Sequence, residues 1–174
     1  MPGKYILIGV PNSGKSTIGK RAAEKLQIPF YDTDKLAYER LNLDDPAELF
    51  LPSNVMRFVN EKSKVLAEFA EFDGSAIIEI WAESALNPLD AEVMKKTGTI
   101  IYIKREIKDA IAEVKKSSRM VLRDETTGKE VHAQSELLNF YAKELHHLEA
   151  LANLTLENNG SLDEAVEKLV AMIL

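Results

Sequence analysis

One glycine-rich segment limits which folds are open to this chain more than any other feature. Residues 9–16 read Gly-Val-Pro-Asn-Ser-Gly-Lys-Ser, which satisfies the spacing G-x-x-x-x-G-K-[ST]. An apolar stretch precedes this segment and a helical pattern begins at Lys15, so the strand, loop and helix that the motif requires are all indicated. We therefore predict a phosphate-binding loop between a strand and a helix. The alternative is a glycine-rich turn that opens a helix and binds nothing.

The residue types in this segment suit a nucleoside triphosphate bound with magnesium. Glycines let the loop wrap around phosphate, so that backbone N–H groups and the helix N-terminus point at negative charge. Lys15 would reach the β and γ phosphates, and the Ser16 hydroxyl would bind magnesium. The predicted nucleotide-binding residues are Pro11, Asn12, Ser13, Gly14, Lys15, Ser16 and Thr17.

Apolar runs alternate with helical patterns along the rest of the chain. The predicted strands cover residues 5–8, 28–31, 76–80, 99–103 and 154–156. The predicted helices cover residues 15–26, 34–41, 55–72, 89–96, 107–116, 134–152 and 162–173. The apolar runs do not alternate strictly with polar residues, which is typical of strands covered on both faces. We therefore predict an α/β fold, in which a parallel sheet carries helices on both faces.

Length and composition narrow the range of functions. A chain of 174 residues is predicted to form a single domain over residues 1–174. The sequence shows no membrane-spanning run and no signal peptide pattern, which predicts a cytoplasmic protein without a membrane partner. Cysteine is absent, which excludes thiolate chemistry, and a net charge of -6 argues against a nucleic acid partner. We expect a monomer that acts on a small molecule.

Two acidic residues follow the short second strand. The carboxyl ends of parallel strands are where ligands gather, which would bring Asp32 and Asp34 close to the phosphate-binding loop. Residues two apart on an extended chain point the same way, so one carboxylate could face the metal and the other the phosphate acceptor. The alternative is that Asp34 caps the helical segment that begins at Lys35. The residues alone leave both interpretations open.

Residues 117–132 form the least core-like part of the chain, because they are polar and charged and include Thr127-Gly128-Lys129. A long polar stretch of this kind is either a mobile lid or a surface loop.

The sequence resembles shikimate kinase over nearly its whole length. The resemblance is carried by the phosphate-binding loop with Ile-Leu-Ile before it, by Ile-Pro-Phe-Tyr-Asp-Thr-Asp at 28–34, by Leu-Asn-Pro at 86–88, and by Gly-Thr-Ile-Ile-Tyr-Ile at 98–103. It implies a three-layer P-loop kinase fold with a five-stranded parallel sheet, a substrate-binding region at about 34–72 and a lid at about 117–132. It also implies ATP and Mg²⁺ as cofactors.

The resemblance further implies roles for single residues. In that family the positions of Ser16 and Asp32 serve magnesium, the position of Asp34 hydrogen-bonds the substrate hydroxyl, and the lid arginine, here Arg119, meets the transferring phosphate. Lys15, Asp34 and Arg119 are therefore the catalytic candidates. The implied activity is transfer of phosphate from ATP to a hydroxyl group of a small metabolite.

The residues at the positions where the family binds its phosphate acceptor differ from those of the family. Aligned without gaps from Glu-Leu-Phe at 48–50, the family's carboxylate-binding arginine falls on Val59, and Arg57 lies about 200° away around a helix. The family's triple glycine falls on Trp81-Ala82-Glu83, and its second carboxylate-binding arginine falls on Glu144. These departures favour an acceptor without a carboxylate, for example a cationic one, and predict that shikimate is a poor substrate.

Arg57, Trp81 and Glu83 are the candidate acceptor-binding residues, and each has a plainer interpretation. Arg57 would face away from the site, Trp81 would fill the core, and Glu83, like Glu79, would be a solvated carboxylate. Two alternatives to the predicted function remain. The chain could be a nucleotide-binding regulatory module without kinase activity, or a true shikimate kinase with a shifted acceptor register.

Overall fold

The protein is built around a parallel β-sheet. The computed structural model describes residues 3–44, 48–49, 51–116, 121–123 and 130–174, with side chains described outside 113–141. The strands are β1 (Lys4–Ile8), β2 (Phe30–Asp32), β3 (Ala76–Glu79), β4 (Thr99–Lys104), β5 (Val121–Arg123), β6 (Glu130–His132) and β7 (Leu154–Glu157). Five of these form one sheet in the order β2-β3-β1-β4-β7, and every pairing within it is parallel. The predicted five-stranded sheet is confirmed.

Helices cover both faces of this sheet. They are α1 (Lys15–Leu26), α2 (Thr33–Leu41), α3 (Pro52–Glu71), α4 (Ala82–Leu86), α5 (Pro88–Thr97), α6 (Ile107–Lys116), α7 (Ala133–Leu151) and α8 (Leu162–Ile173). The seven predicted helices are confirmed to within a few residues at each end. The prediction missed α4, because five residues are too few to show a helical period. Within the described ranges, no helix is long and apolar enough to cross a membrane.

A short hairpin lies in the segment that was predicted to be a lid or a loop. Strands β5 and β6 pair antiparallel, with Val121 opposite His132 and Arg123 opposite Glu130. Three-residue strands show no alternation that a sequence pattern could reveal. Residues 117–120, including Arg119, and residues 124–129 lie outside the described part of the chain, so the prediction of a lid over 117–132 stays a prediction.

Two apolar layers, one on each face of the sheet, bury the strands. In β1, Ile6 and Ile8 belong to one cluster, whereas Tyr5 and Leu7 belong to the other. The same alternation occurs in β4, where Ile100 and Tyr102 face the first layer and Ile101 and Ile103 face the second. Because both faces are covered, residues 5–8 of β1 and 100–103 of β4 are apolar without interruption, as the unbroken apolar runs indicated.

The cap of α2 corrects one of the sequence interpretations. Asp32, not Asp34, is the N-cap, and its Oδ1 atom accepts hydrogen bonds from the backbone N–H groups of Asp34 and Lys35 at 3.1 and 3.0 Å. The helix begins at Thr33, so these are the second and third helical N–H groups, the ones that a cap side chain reaches. Asp34 therefore lies in the first helical turn, and its carboxylate is not used as the cap.

Gly98 is expected to be intolerant of any side chain. A Cβ atom at this position would lie 2.1 Å from the carbonyl oxygen of Lys4, a backbone atom of β1. Since backbone in a central strand cannot move aside cheaply, we expect Gly98→Ala to lower the free energy of unfolding by about 1–3 kcal/mol, measured by urea denaturation. Gly3→Ala is the control, because its methyl group would meet only the Tyr5 side chain, at 3.0 Å or more, and no backbone atom. An equal loss in both variants would contradict the prediction.

Candidate active site

A cavity of about 770 Å³ opens at the carboxyl edge of the sheet, where β1, β2 and β3 end. Its lining contains Pro11, Asn12, Gly14, Lys15, Ser16, Thr17, Lys20, Asp32, Asp34, Glu79, Trp81 and Arg105. Every predicted nucleotide-binding residue except Ser13 is in this lining. Ser13 belongs to the loop but is buried, and its carbonyl oxygen accepts a hydrogen bond from Asn158 Nδ2 at 2.8 Å.

The loop at residues 9–14 delivers the N-terminus of α1 to the cavity. Gly9 and Gly14 have φ angles of 154° and 98°, which disfavour residues with a side chain. At Gly9 a Cβ atom would also lie 2.6 Å from the carbonyl oxygen of Ile103. Gly14 is the N-cap of α1, and no side chain caps this helix. The first N–H groups of α1 are therefore available to an anion such as phosphate.

Lys15 is buried beside these N–H groups. Its Nζ atom donates hydrogen bonds to the carbonyl oxygens of Gly9 at 2.8 Å and Val10 at 3.1 Å. Burial lowers the pKa of the Lys15 ammonium, and the nearby carboxylates of Glu79, Asp34 and Asp32 oppose this effect. A positive charge held by two carbonyls at the base of the cavity is suited to receive phosphate oxygens.

Two carboxylates face each other across neighbouring strands, since Asp32 of β2 is in register with Glu79 of β3. The Ser16 hydroxyl donates a hydrogen bond to Glu79 Oε1 at 2.9 Å. Glu79 Oε2 is buried and has no hydrogen-bond partner among the described residues. Burial raises the pKa of Glu79, and the Lys15 ammonium opposes that shift. The sequence analysis did not predict the contact with Ser16.

These residues fit a magnesium ion that shares its ligands with a nucleotide. Among side chains that the structure describes, no three acidic or histidine groups form a metal cluster by themselves. Magnesium bound to nucleotides needs only one or two carboxylates, because phosphate oxygens and waters supply the other ligands. The Ser16 hydroxyl, one oxygen of Asp32 and the unpartnered oxygen of Glu79 meet this requirement.

Asp34, in the first turn of α2, lines the same cavity. Its Oδ1 atom is buried, and the described residues supply no hydrogen-bond partner for it. Burial raises the pKa of Asp34 to about 6, with Lys62 acting in the opposite direction and the Asp32 and Glu79 carboxylates adding to the rise. A carboxylate with this pKa is ionised near neutral pH and is basic enough to accept a proton from a hydroxyl group.

Lys62 of α3 is a charged residue of this region that the sequence analysis missed. Its side chain is 4% exposed, and its Nζ atom lies 3.3 Å from Glu83 Oε2. The ammonium also lies 5.0 and 5.5 Å from the ring centroids of Phe58 and Trp81. The pattern of α3 could not reveal which of its lysines is buried, because burial depends on what packs against the helix.

The predicted acceptor-binding residues fall in different places. Trp81 was expected either to bind the acceptor or to fill the core, and it both lines the cavity and packs against the core. Its Nε1 atom is buried without a hydrogen-bond partner in the described part of the chain. The Glu83 side chain is 64% exposed, pairs with Lys62 and is not in the lining. Arg57 is not in the lining either, because its guanidinium donates to Asn54 Oδ1 at 2.9 Å and to the Leu41 carbonyl at 3.4 Å.

Arg105 lies at the cavity and Glu144 lies away from it. Arg105 follows β4, lines the cavity and donates a hydrogen bond to the carbonyl oxygen of Asn12 at 2.9 Å, although no motif singled it out. Glu144 of α7 is hydrogen-bonded to His147 at 2.7 Å and is not part of the cavity lining.

A parallel sheet with a phosphate-binding loop, and carboxylates at its carboxyl edge, defines a P-loop fold, and the family comparison makes the protein a small-molecule kinase, an ATP-dependent phosphotransferase. The family model for shikimate kinase matches residues 11–174, and the chain belongs to the shikimate kinase family. A shikimate kinase of Clostridium botulinum (strain Alaska E43 / Type E3) is 27% identical over 176 residues, which cover 100% of this chain and 99% of that protein.

Solved structures share the fold. The shikimate kinase from Acinetobacter baumannii in complex with shikimate superposes with a TM-score of 0.79 at 19% identity, covering 98% of this chain and 92% of that one. A gluconokinase from Sinorhizobium meliloti 1021 superposes with a TM-score of 0.61 at 19% identity, covering 98% and 90%. The fold is thus shared by kinases named for different acceptors, so the acceptor must be argued from the site.

Proposed function

We propose that this kinase binds ATP with Mg²⁺ at residues 9–17 and transfers a phosphate to a hydroxyl group of a small metabolite that lacks a carboxylate. The observation that carries the proposal is Asp34. Its buried Oδ1 atom finds no partner within the described ranges and lines the same cavity as the phosphate-binding loop. A buried carboxylate oxygen without a hydrogen-bond partner costs folding free energy. Asp34 Oδ1 is therefore the natural hydrogen-bond partner for a substrate hydroxyl.

The chain's own residues would divide the work of phosphate transfer. Lys15 and the uncapped N-terminus of α1 would hold the phosphates in place, and Asp34 would orient the acceptor hydroxyl and accept its proton. Magnesium, when bound, would neutralise charge on the phosphate oxygens. In such reactions catalysis consists mainly of positioning and charge stabilisation, so no covalent intermediate on the protein is needed.

The charges around Asp34 support an acceptor without a carboxylate. The cavity contains the Asp32, Asp34 and Glu79 carboxylates. Its cations are Lys20 of α1 and the two that are hydrogen-bonded to carbonyl oxygens of the phosphate-binding loop, Lys15 and Arg105. The nearby Lys62 ammonium is paired with Glu83. A carboxylate placed beside Asp34 would meet like charges and would have to displace Glu83 to gain Lys62 as a partner. A neutral polyol or an amino alcohol would instead offer N–H or O–H donors to Asp34.

A panel of acceptors tests this function directly. ADP production is followed with saturating ATP and Mg²⁺ while neutral polyols, amino alcohols and cyclic hydroxy acids are added in turn. We expect neutral or cationic acceptors to raise ADP production far above the intrinsic ATP hydrolysis, with loss of the effect in Lys15→Ala. Slow hydrolysis that no acceptor changes would contradict the proposal and favour a nucleotide-binding regulatory module.

Nucleotide binding should be visible as stabilisation of the fold. Ligand at a hundredfold excess over its dissociation constant stabilises a protein by about 2.7 kcal/mol, so ATP with Mg²⁺ should raise the melting temperature. Lys15→Ala should remove most of this rise, because it deletes the buried charge that receives phosphate. Comparing each variant with and without ligand separates binding from any change in intrinsic stability. An unchanged melting temperature of the unmodified protein would argue against a nucleotide site.

The proposal includes a monomer that acts in the cytoplasm, with residues 1–174 forming one domain. It also assigns Arg119, outside the described part of the chain, to the transferring phosphate. Sedimentation velocity is the direct measurement of the oligomeric state.

A further inference from the structure

Trp81 carries a buried hydrogen-bond donor, the indole Nε1 atom, that has no partner among the described residues. The residue itself is half-buried and lines the cavity. Indole N–H groups usually find a hydrogen-bond partner when they are buried, because an unpaired buried donor destabilises the fold. A bound molecule that accepts this hydrogen bond would remove the cost, so the donor marks Trp81 as a residue that contacts a ligand.

The backbone at Trp81 is fixed by the elements on both sides. Just before it, the N–H group of Ile80 donates a hydrogen bond to the Leu7 carbonyl of β1 at 3.0 Å. Trp81 is also the N-cap of α4, and its carbonyl accepts hydrogen bonds from the N–H groups of Ser84 and Ala85 at 3.1 and 3.3 Å. The ring packs against the core. Because a tryptophan side chain has only two torsion angles, its N–H group is held in place before a ligand arrives.

Asp34 supplies the complementary hydrogen-bond acceptor. Its Oδ1 atom is likewise buried without a partner in the ranges that the structure describes, and Asp34 lines the same cavity as Trp81. A carboxylate oxygen only accepts hydrogen bonds, and an indole N–H group only donates. Both are satisfied by a molecule that offers one O–H group to Asp34 and one oxygen lone pair to Trp81. Two hydroxyl groups of one polyol meet both requirements, because a hydroxyl group donates and accepts.

Lys62 limits the charge that such a molecule can carry. Its ammonium lies 5.5 Å from the centroid of the Trp81 ring, and of the nearby charges it is the one that most lowers the pKa of Asp34. The ammonium is therefore close to both groups. A cationic acceptor would meet this like charge, and an alkylammonium has no lone pair to accept the indole hydrogen bond. A carboxylate could accept that bond, but it would meet the carboxylates of Asp34 and of Glu83, the partner of Lys62.

We propose that Trp81 is a specificity-determining residue, whose indole N–H group binds a second oxygen of the acceptor while Asp34 holds the hydroxyl group to be phosphorylated. The substrate class is then a neutral polyol with at least two hydroxyl groups. This role rests on the proposed function, because it requires an acceptor in the same cavity. It also narrows that function, since an amino alcohol whose second group is an ammonium cannot accept the hydrogen bond from Trp81.

Removal of one N–H group tests this role without relying on activity. The chain contains a single tryptophan, so replacing tryptophan throughout the protein changes this residue alone. Protein made in a tryptophan auxotroph that is supplied with benzothienylalanine has sulfur in place of the indole N–H group and keeps the shape of the ring. Binding of inositol, a ring with a hydroxyl group on every carbon, is then measured by NMR titration of both forms with saturating ADP and Mg²⁺. We expect inositol to bind about 10-fold more weakly to the form without the N–H group.

Matched ligands and variants make the result specific. Cyclohexanol has one hydroxyl group, which Asp34 would use, so it should bind equally to both forms. Aminocyclohexanol should bind more weakly than inositol to the unmodified protein, because its ammonium cannot accept a hydrogen bond and meets Lys62. Trp81→Phe also removes the N–H group and should repeat the loss of inositol affinity. Phe72→Leu is the control for lost packing, since Phe72 packs against the same core but is not in the cavity lining, and its inositol affinity should be unchanged.

Inositol affinity within twofold in the forms with and without the N–H group would overturn the inference. Equal weakening of inositol and cyclohexanol binding would also overturn it, because a purely structural role of Trp81 affects both ligands alike. An unmodified protein that binds Mg·ADP but not inositol, or that prefers aminocyclohexanol, would overturn the polyol assignment and leave the proposed function intact. An unmodified protein that does not bind Mg·ADP would instead refute the proposed function, so the two failures are distinguishable.

Discussion

Asp34→Asn is expected to lower kcat by about 100 to 10,000-fold, the usual contribution of a general base. Asparagine has the shape of aspartate but cannot accept a proton from the acceptor hydroxyl. Since the amide of the variant can still hydrogen-bond the acceptor, its KM should change less than kcat. Asp73→Asn, a change in an exposed loop before β3, is the control and should leave kcat unchanged. Retention of kcat within tenfold by Asp34→Asn would exclude Asp34 as the base.

The same substitution should stabilise the protein without ligand, in a pH-dependent way. Burial raises the pKa of Asp34 from 3.8 to about 6, so the folded protein holds this proton more tightly than the unfolded chain does. The cost of ionising Asp34 therefore grows as the pH rises from about 4 to 6 and is fully present above pH 6. Asp34→Asn should gain on the order of 2 kcal/mol at pH 8 and little at pH 4.

Urea denaturation of both proteins at pH 4, 6 and 8, without nucleotide or metal, measures this gain. A gain that is independent of pH would mean that the substitution acts through packing and not through the buried charge. A stabilised but inactive variant would show that the charge of Asp34 is retained for catalysis at the expense of stability.

Shikimate is expected to bind at least a hundredfold more weakly than it would if both carboxylate-binding arginines of the family were present. Losing a pair of charge-assisted hydrogen bonds costs on the order of 3 kcal/mol, and each 1.4 kcal/mol is a factor of ten in affinity. Val59 offers no charge, Arg57 is bonded to Asn54 and Leu41, and the buried Lys62 is paired with Glu83. The rate of ADP production should therefore fail to saturate at sub-millimolar shikimate.

Restoring a charge gives a gain-of-function test of the same idea. Val59 lies three residues before Lys62 on α3, so both side chains share one helix face. Val59→Arg should lower the KM for shikimate by about tenfold or more, the value of one charge-assisted hydrogen bond. Asn60→Arg adds the same charge at an exposed neighbouring position, about 100° around the helix, and should have little effect.

Saturation by sub-millimolar shikimate in the unmodified protein would contradict this expectation and indicate a true shikimate kinase. In that case the carboxylate must find another cation, and the buried Lys62 is the candidate. Lys62→Met would then abolish the saturation. If Lys62→Met instead leaves a tight shikimate site intact, the next candidates would be Arg57 after a register shift into the cavity, and Lys20 and Arg105 of the cavity lining.

What could be read from the sequence was local in character. The phosphate-binding loop is a contiguous segment whose glycines, lysine and serine have fixed roles, so its position, its strand and its helix followed from spacing alone. The five strands and seven longer helices also followed, because apolar periodicity is a property of neighbouring residues. The family resemblance added the number of strands in the sheet and the roles expected of Asp32 and Asp34, which no periodicity indicates.

The tertiary structure decided how residues far apart in the chain share the site. Ser16 and Glu79 are 63 residues apart and meet only because β3 lies beside β1, while Lys62 reaches Glu83 because α3 packs against the sheet. Which aspartate caps α2 depended on where the helix begins, a boundary that a pattern places only to within a few residues. Burial, and with it the raised pKa of Asp34, is set by all the elements that surround a side chain, so no local pattern contains it.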